Sequence, residues 1–463
     1  MTGFLGGAFG APASDKGVRP PALAGTWYPS SPAILLATAR NQMRQAAAAP
    51  RPTGKPVALV VPHAGWAYSG VVAGAAYRLL APGDFSRVVV LAPSHHGAFA
   101  GYALDESSAW RTPLGEVPVD RAAVASLSAP GLARPVPGVT GPEHAVEIEV
   151  PFLQAALGRF SLVPVLVGRA DAAEQAAFAE RLARLDDGKT LFVFSSDFTH
   201  YGPRFDYEPF GPTGAARARI RALDGEALAL LSRLDADAFR AFVARHDATI
   251  CGRTGLATML ELLARIAPKA TPTLLAHWAS GEMPGVRDDS SVDYAALCFS
   301  RGGAPGGAAL VTPPAMRPVE ASAPPLTARV GKALVRVARG ALEAELAGKP
   351  DRLDAALREL DDAPEASRLT AVFVTLKNTD PLEIARVGDL RGCIGQVVPT
   401  YPLDLAVVKS ALDAALDDPR FPEVEARELT RLSVEVTVLS PIVPVASWKE
   451  IRVGTHGIVL EKG

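Results

Sequence analysis

Four of the eight histidines in the chain stand just past short apolar runs rich in valine and phenylalanine. His63 follows VALVVP (57–62), His95 and His96 follow RVVVLAP (87–93), and Asp197 and His200 follow TLFVFSS (190–196). Imidazoles and carboxylates ligate metals and move protons near neutral pH. In an open α/β sheet, ligands collect outside the carboxyl ends of the strands. Three separate segments would therefore bring His63, His95, His96, Asp197 and His200 to one edge of one sheet. That convergence carries the prediction, since a single histidine after a strand is ordinarily a core or surface residue.

Two further segments carry candidate chemistry. Cys251, in ICGRTG (250–255), precedes LATMLELLARI, which reads as a helix. Unpaired N–H groups and the positive end of that helix would favour its thiolate. A nucleophile or a soft metal ligand follows, or else a small buried hydrophobe. Glu143-His144-Ala145-Val146-Glu147 heads a segment expected to be helical through PFLQAAL. Glu143 and Glu147 would then share one helical face and orient His144 or a ligating histidine, unless they form a solvated helix start. Gly188-Lys189-Thr190 fails as a phosphate loop, because the upstream glycine is missing and a strand follows. HExxH, CxxC, GxSxG and the dinucleotide glycine fingerprint are absent from the sequence.

The elements that must position these residues alternate. The three runs above, with LVPVLVG (162–168), suit strands covered on both faces. Between them VVAGAAYRLL, AEQAAFAERLARL and ARARIRALDGEALALLSRL read as helices. The pattern predicts an α/β domain with a largely parallel central sheet flanked by helices. Residues 300–328 crowd Gly, Pro and Ala without period, as a linker does. The expected plan is a disordered tail (1–19), a first domain (20–300), a linker (301–324) and a smaller α+β domain (325–463). The second domain has helices predicted at 329–346 and 402–417 and strands near 370–377 and 432–439. Such a linker predicts a modest or mobile interface between the domains.

Composition narrows the function classes. The chain has 463 residues, 48% hydrophobic and 21% charged, which fits two or three domains and excludes wholesale disorder. Forty-seven basic against 49 acidic side chains argue against nucleic-acid or membrane-surface binding driven by bulk charge. Three distant cysteines make no disulfide framework and point to a reducing compartment. Without a membrane-length apolar run or a basic leader at the start, a cytoplasmic location is expected.

AGTWYP (24–29), VPHAGWAYSG (61–70), APSHH (92–96), EHAVEIEVPFL (143–153), PVLVG (164–168), SSDFTHYG (195–202) and ICGRTG resemble the Memo family. That family shares its fold with the LigB-type class III extradiol dioxygenases. LRGCIG (390–395), DPRFP (418–422), EVTVLSP (435–441) and HGIVLEKG (456–463) resemble the AMMECR1 family. Members of that family usually continue past the last motif, so a truncated second domain is expected. Fusions of this kind are similar to the AmmeMemoRadiSam system, which implies a radical SAM protein as partner.

The resemblance implies a metal site of His63, His95 and Cys251, with Asp197 and His200 in the same pocket. The residues themselves, apart from the resemblance, put His96, His144 and Glu147 around them as supporting or pocket groups. Two imidazoles and a thiolate suit iron, copper or zinc, and three protein ligands leave room for a substrate. Cys251 stands where the dioxygenases carry a carboxylate, so ring cleavage itself does not carry over. Three readings result: a non-haem iron or copper oxidoreductase with Asp197 and His200 as acid/base groups, a metal-bearing interaction module whose pocket binds a peptide or partner without turnover, and a hydrolase or transferase using Cys251 as nucleophile. LRGCIG offers no catalytic constellation; Gly392 and Gly395 are expected to permit a tight turn, with Cys393 half-buried.

Overall fold

The computed structural model describes residues 17–282, 289–304, 326–397, 399, 401–440 and 452. Four strands, Lys55–Val61, Thr190–Ser195, Arg87–Pro93 and Ser161–Val167, lie side by side in that order and run parallel. Their apolar side chains are buried on both faces, as the unbroken valine, leucine and phenylalanine runs require. Helices Trp66–Tyr77, Ala172–Ala183 and Arg253–Ile266 stand where the sequence puts them. Asp171 and Glu174 cap the second of these reciprocally.

The flanks of the sheet are antiparallel. Ser291–Arg301 pairs antiparallel with Lys55–Val61, Thr271–Ala279 pairs antiparallel with Ser291–Arg301, and Tyr102–Leu104 does so on the far side of Ser161–Val167. Among the described residues only a single 3-10 turn, Ser280–Glu282, lies between Thr271–Ala279 and Ser291–Arg301, and strands joined without a long crossover pair antiparallel.

Three local expectations are corrected. Residues 18 and 19 are not tail: Val18–Arg19 pairs with Ala109 and Trp110, and Arg19 is buried against Glu147. The segment from Glu143 to Val146 is not helical. Only Val150–Leu157 forms an α-helix, because Pro151 fits solely in a first turn, where no N–H is needed. LRGCIG is not a turn but lies within the strand Leu390–Gln396, paired with Val372–Asn378. Its glycines admit close neighbours instead. A Cβ on Gly392 would lie 2.0 Å from the Ala414 carbonyl oxygen, and one on Gly395 2.2 Å from that of Val372.

The second domain is a three-stranded antiparallel sheet, Leu390–Gln396, Val372–Asn378 and Leu432–Val438, backed by helices Ala328–Ala347 and Leu403–Leu416. The expected linker and the terminal HGIVLEKG motif fall almost wholly outside the described residues.

The two domains do not meet through a modest contact. Helix α1 (Pro32–Gln45) of the first domain lies against Ala328–Ala347, Pro350–Arg358 and Leu403–Leu416 of the second, and one apolar core runs through both. Arg40 pairs with Asp354 at 2.6 Å and donates to the Ala155 carbonyl. Arg44 pairs with Asp361 and with the fully buried Asp404, which also accepts from Asn41 Nδ2. Buried guanidiniums are costly unless paired, so these carboxylates fix how the second domain sits on α1.

Candidate metal centre

The order of the parallel strands decides the site. His63, Asp197 and His95 follow three adjacent strands, so their positions at the carboxyl ends become neighbours in space. His63 is buried, and its backbone N–H donates to Asp197 Oδ1 at 2.8 Å. The rings of His63, His95 and His144 lie with centroids 4.4–5.6 Å apart. Each offers a nitrogen within 4.8 Å of the others'. Sequence reasoning cast His144 as an orienting neighbour; the fold puts it among the nitrogens able to hold an ion.

Cys251 touches His63 of this group but is not among the three whose ligand atoms all lie within 4.8 Å of one another. Its Sγ lies 3.2 Å from His63 Nε2 and accepts the Asp197 backbone N–H at 3.1 Å. Gly252 makes this approach possible. A Cβ there would stand 2.4 Å from Ser196 Cβ and 2.9 Å from the Ser195 carbonyl, and the Gly252 N–H donates to Ser196 Oγ. The helix Arg253–Ile266 does not make Cys251 a thiolate. Burial, and then the Asp197 carboxylate, push its pKa well above the ordinary thiol range.

Hydrogen bonds set the histidine tautomers. His63 Nδ1 is 2.7 Å from Ser195 Oγ, which donates to the Ala145 carbonyl at 2.8 Å. Since that hydroxyl proton is committed, His63 carries its own proton on Nδ1 and turns a lone pair on Nε2 toward Cys251. His95 Nδ1 lies 3.0 Å from Glu143 Oε1, and His200 Nδ1 lies 2.9 Å and 3.0 Å from the Phe198 and Thr249 carbonyls. These acceptors likewise hold the proton on Nδ1 and leave Nε2 basic. Such anchoring is what metal-ligating imidazoles require.

Electrostatics favour neutral His63 and His144 rings. Burial, then the neighbouring imidazoles, drive His63 well below its ordinary pKa, and burial brings His144 down to about 4. Asp197 is pushed up by burial to about 6, against the opposing pull of His200 and the His63 N–H. Burial alone would raise Glu143, but the His95 side chain and nearby backbone N–H donors outweigh it and hold the carboxyl at about 2.

The remaining expected residues divide. Glu143 serves the site as an acceptor for His95, and its Oε1 also lies 3.3 Å from His144 Nδ1. Glu147 does not. It accepts from Arg19, Tyr28 and the backbone N–H groups of Ala22 and Leu23, so it clamps the segment that carries Trp27. Trp27 in turn lies 4.5 Å from the His144 ring. His96 is exposed, as is His95, and lies near enough to His144 to disfavour its charged form. Ser195 and Glu149 were missed, since a serine inside a strand run and a glutamate in a helical run carry no signal of their own. Glu149 Oε1 stands 2.9 Å from Ser195 Oγ, extending the His63 contact into the core.

The strand ends thus define an α/β domain with an imidazole-rich, sulfur-flanked candidate metal centre, joined to a second α+β domain. The chain belongs to the Memo family: the Memo-like protein family matches residues 19–298, and the AMMECR1 family matches 335–463. Protein MEMO1 of Danio rerio is 31% identical over 282 residues, 59% of this chain and 94% of that protein. The Homo sapiens MEMO1 is 30% identical over the same shares, and the memo-1 homolog of Caenorhabditis elegans is 32% identical over 59% of this chain and 79% of its own. A solved structure, uncharacterized protein PH0010 from Pyrococcus horikoshii, is 42% identical over 23% of this chain and 50% of its own, with a TM-score of 0.19. No helix among the described residues is long and apolar enough to cross a membrane.

Proposed function

We propose that the first domain is a metal-dependent oxidoreductase of the AmmeMemoRadiSam system, holding iron or copper, with zinc the redox-silent competitor. The observation that carries this reading is the set of Nδ1-anchored imidazoles beside a cysteine sulfur. His63, His95 and Cys251 would hold the ion, with His144 the additional nitrogen donor. Nitrogen and sulfur donors suit iron, copper and zinc, not magnesium or calcium. Iron or copper bound there would supply a change of oxidation state.

The chain's own residues supply the rest. Glu143 fixes the His95 ring. Asp197, brought near 6 by burial, can hold or release a proton at its carboxyl close to neutral pH. His200 presents a basic Nε2 whose partner nitrogen is anchored, which suits a proton acceptor at the pocket. The nucleophile reading is disfavoured by the same burial that raises Cys251, since the thiol would have to ionise unaided. Reading the pocket as a binding module draws support from Trp27, 37% exposed and 4.5 Å from the His144 ring. A radical SAM protein is the proposed partner of the whole chain.

Metal analysis of anaerobically purified protein tests the reading, wild type beside Cys251→Ser and His95→Ala. Cys251→Ser should weaken iron or copper binding more than tenfold, because a hydroxyl is a poorer soft ligand. Full occupancy in both variants would overturn the ligand assignment. His200→Ala should keep the metal and lose oxygen-dependent turnover; if it changes only the binding of a partner, the module reading replaces the enzyme.

A further inference from the structure

A second group of ionisable side chains lies behind the strand end that carries Asp197 and His200. Asp224 comes from helix Thr213–Ser232, His277 from strand Thr271–Ala279 and Asp293 from strand Ser291–Arg301. All three are buried, at 0%, 8% and 3% exposure. Their ligand-capable atoms lie within 4.8 Å of one another.

The hydrogen bonding here is conspicuously incomplete. Asp224 Oδ1 accepts from Thr199 Oγ1 at 2.6 Å and from the Thr199 N–H at 3.3 Å. Asp224 Oδ2, Asp293 Oδ1 and His277 Nε2 have no hydrogen-bond partner. His277 Nε2 stands 3.6 Å from Asp293 Oδ2, too far for a hydrogen bond. Burial, and then the Asp293 carboxyl facing it, disfavour ionisation of Asp224. Three buried polar atoms without partners, aimed at one small space, cost several kcal/mol unless something satisfies them together.

We propose that Asp224, His277 and Asp293 form a second site, for a borderline divalent cation such as zinc, manganese or ferrous iron. Two carboxylates neutralise a divalent charge, so the filled site buries no net charge. A neutral imidazole supplies the third ligand. Donors at about 2.0–2.2 Å from one ion stand roughly 3–4 Å apart, within reach of the observed spacing after small side-chain movements. The nitrogen donor argues against magnesium and calcium, and the lack of sulfur argues against cuprous copper. A cleft lined by Arg217, Arg221, Glu282, Ser291 and Asp293 reaches the cluster and offers entry; Glu282 engages Arg221 there.

The location assigns a structural role. Asp224 holds the side chain and backbone of Thr199, and the Asp293 backbone exchanges hydrogen bonds with Phe198 and Thr199. An ion here would brace the Asp197–His200 loop from behind, without touching the substrate side of the first centre.

The test uses the full chain, stripped with chelator and offered zinc chloride alone. His95→Ala is the background, so that uptake at the first centre is suppressed. That chain should retain one zinc equivalent after desalting, and its melting temperature should rise by several degrees. His95→Ala with Asp293→Asn should retain none and show no rise, with His277→Gln as the second variant if the first fails to fold. Equal zinc content with and without Asp293→Asn, or no uptake by His95→Ala, overturns the proposal. A His95→Ala chain that takes up no zinc and is not destabilised by Asp293→Asn would mean instead that the carboxyls share a proton. The outcome is independent of the first centre: if that centre binds nothing, wild type and His95→Ala still take up one equivalent that Asp293→Asn removes.

Discussion

Glu143→Gln tests whether the site depends on a buried charge that touches no ion itself. Glu143 is fully buried and accepts from His95 Nδ1 at 3.0 Å, from the His95 N–H at 2.5 Å and from the Ala145 N–H at 2.9 Å. These donors hold its carboxyl at about 2 instead of 4.5. At roughly 1.4 kcal/mol per pH unit, the ionised form gains about 3 kcal/mol in the folded state. Because the folded pKa is depressed, this stabilisation is complete above about pH 4.5 and lost as pH falls toward 2. Glutamine keeps the shape, removes the charge and turns one oxygen into a donor that faces N–H groups. Stability at pH 7 should fall by about 2–3 kcal/mol, less whatever desolvation the neutral side chain is spared. Metal affinity should fall about 10- to 100-fold as His95 loses its anchor. Urea unfolding of the metal-free protein reads the first effect, and competition with a chromogenic chelator reads the second. If the variant unfolds within 0.5 kcal/mol of wild type and binds metal equally well, Glu143 does not orient His95 and the tautomer argument falls with it.

Three other expectations follow from the same contacts. Gly252→Ala puts a methyl 2.4 Å from Ser196 Cβ, so it should cost about 1–3 kcal/mol and displace Cys251, seen as a lower melting temperature together with lost metal. Glu149 is raised by burial to about 8, so wild-type stability should decline as pH climbs from about 4.5 to 8; Glu149→Gln should remove that decline, and parallel pH profiles for the two proteins would contradict it. Asp404→Asn strips a buried partner from Arg44 and should cost of the order of 3–5 kcal/mol. Calorimetry should then show the two domains melting separately, and a single unshifted transition would show that α1 does not couple them.

Much of the first domain was legible because its signals are local. A strand covered on both faces must be apolar at every position, so Arg87–Pro93 and Thr190–Ser195 stand out in the sequence nearly to the residue. Helices such as Arg253–Ile266 show through because their apolar residues recur with the helical period. The residues just past those strands were legible too, since chain order alone places His63, His95 and Asp197 at carboxyl ends. What local sequence does not encode is which strand neighbours which. Only the tertiary order, with Thr190–Ser195 between Lys55–Val61 and Arg87–Pro93, makes those ends one pocket. The same holds for contacts made across long sequence separation. His144 becomes a ligand candidate through the Glu143 turn, and Glu147 leaves the site for Arg19. The buried Arg40 and Arg44 meet carboxylates more than 300 residues away. A polar residue's partner is chosen by three-dimensional proximity under the cost of burial, and that cost exists only once the chain has folded.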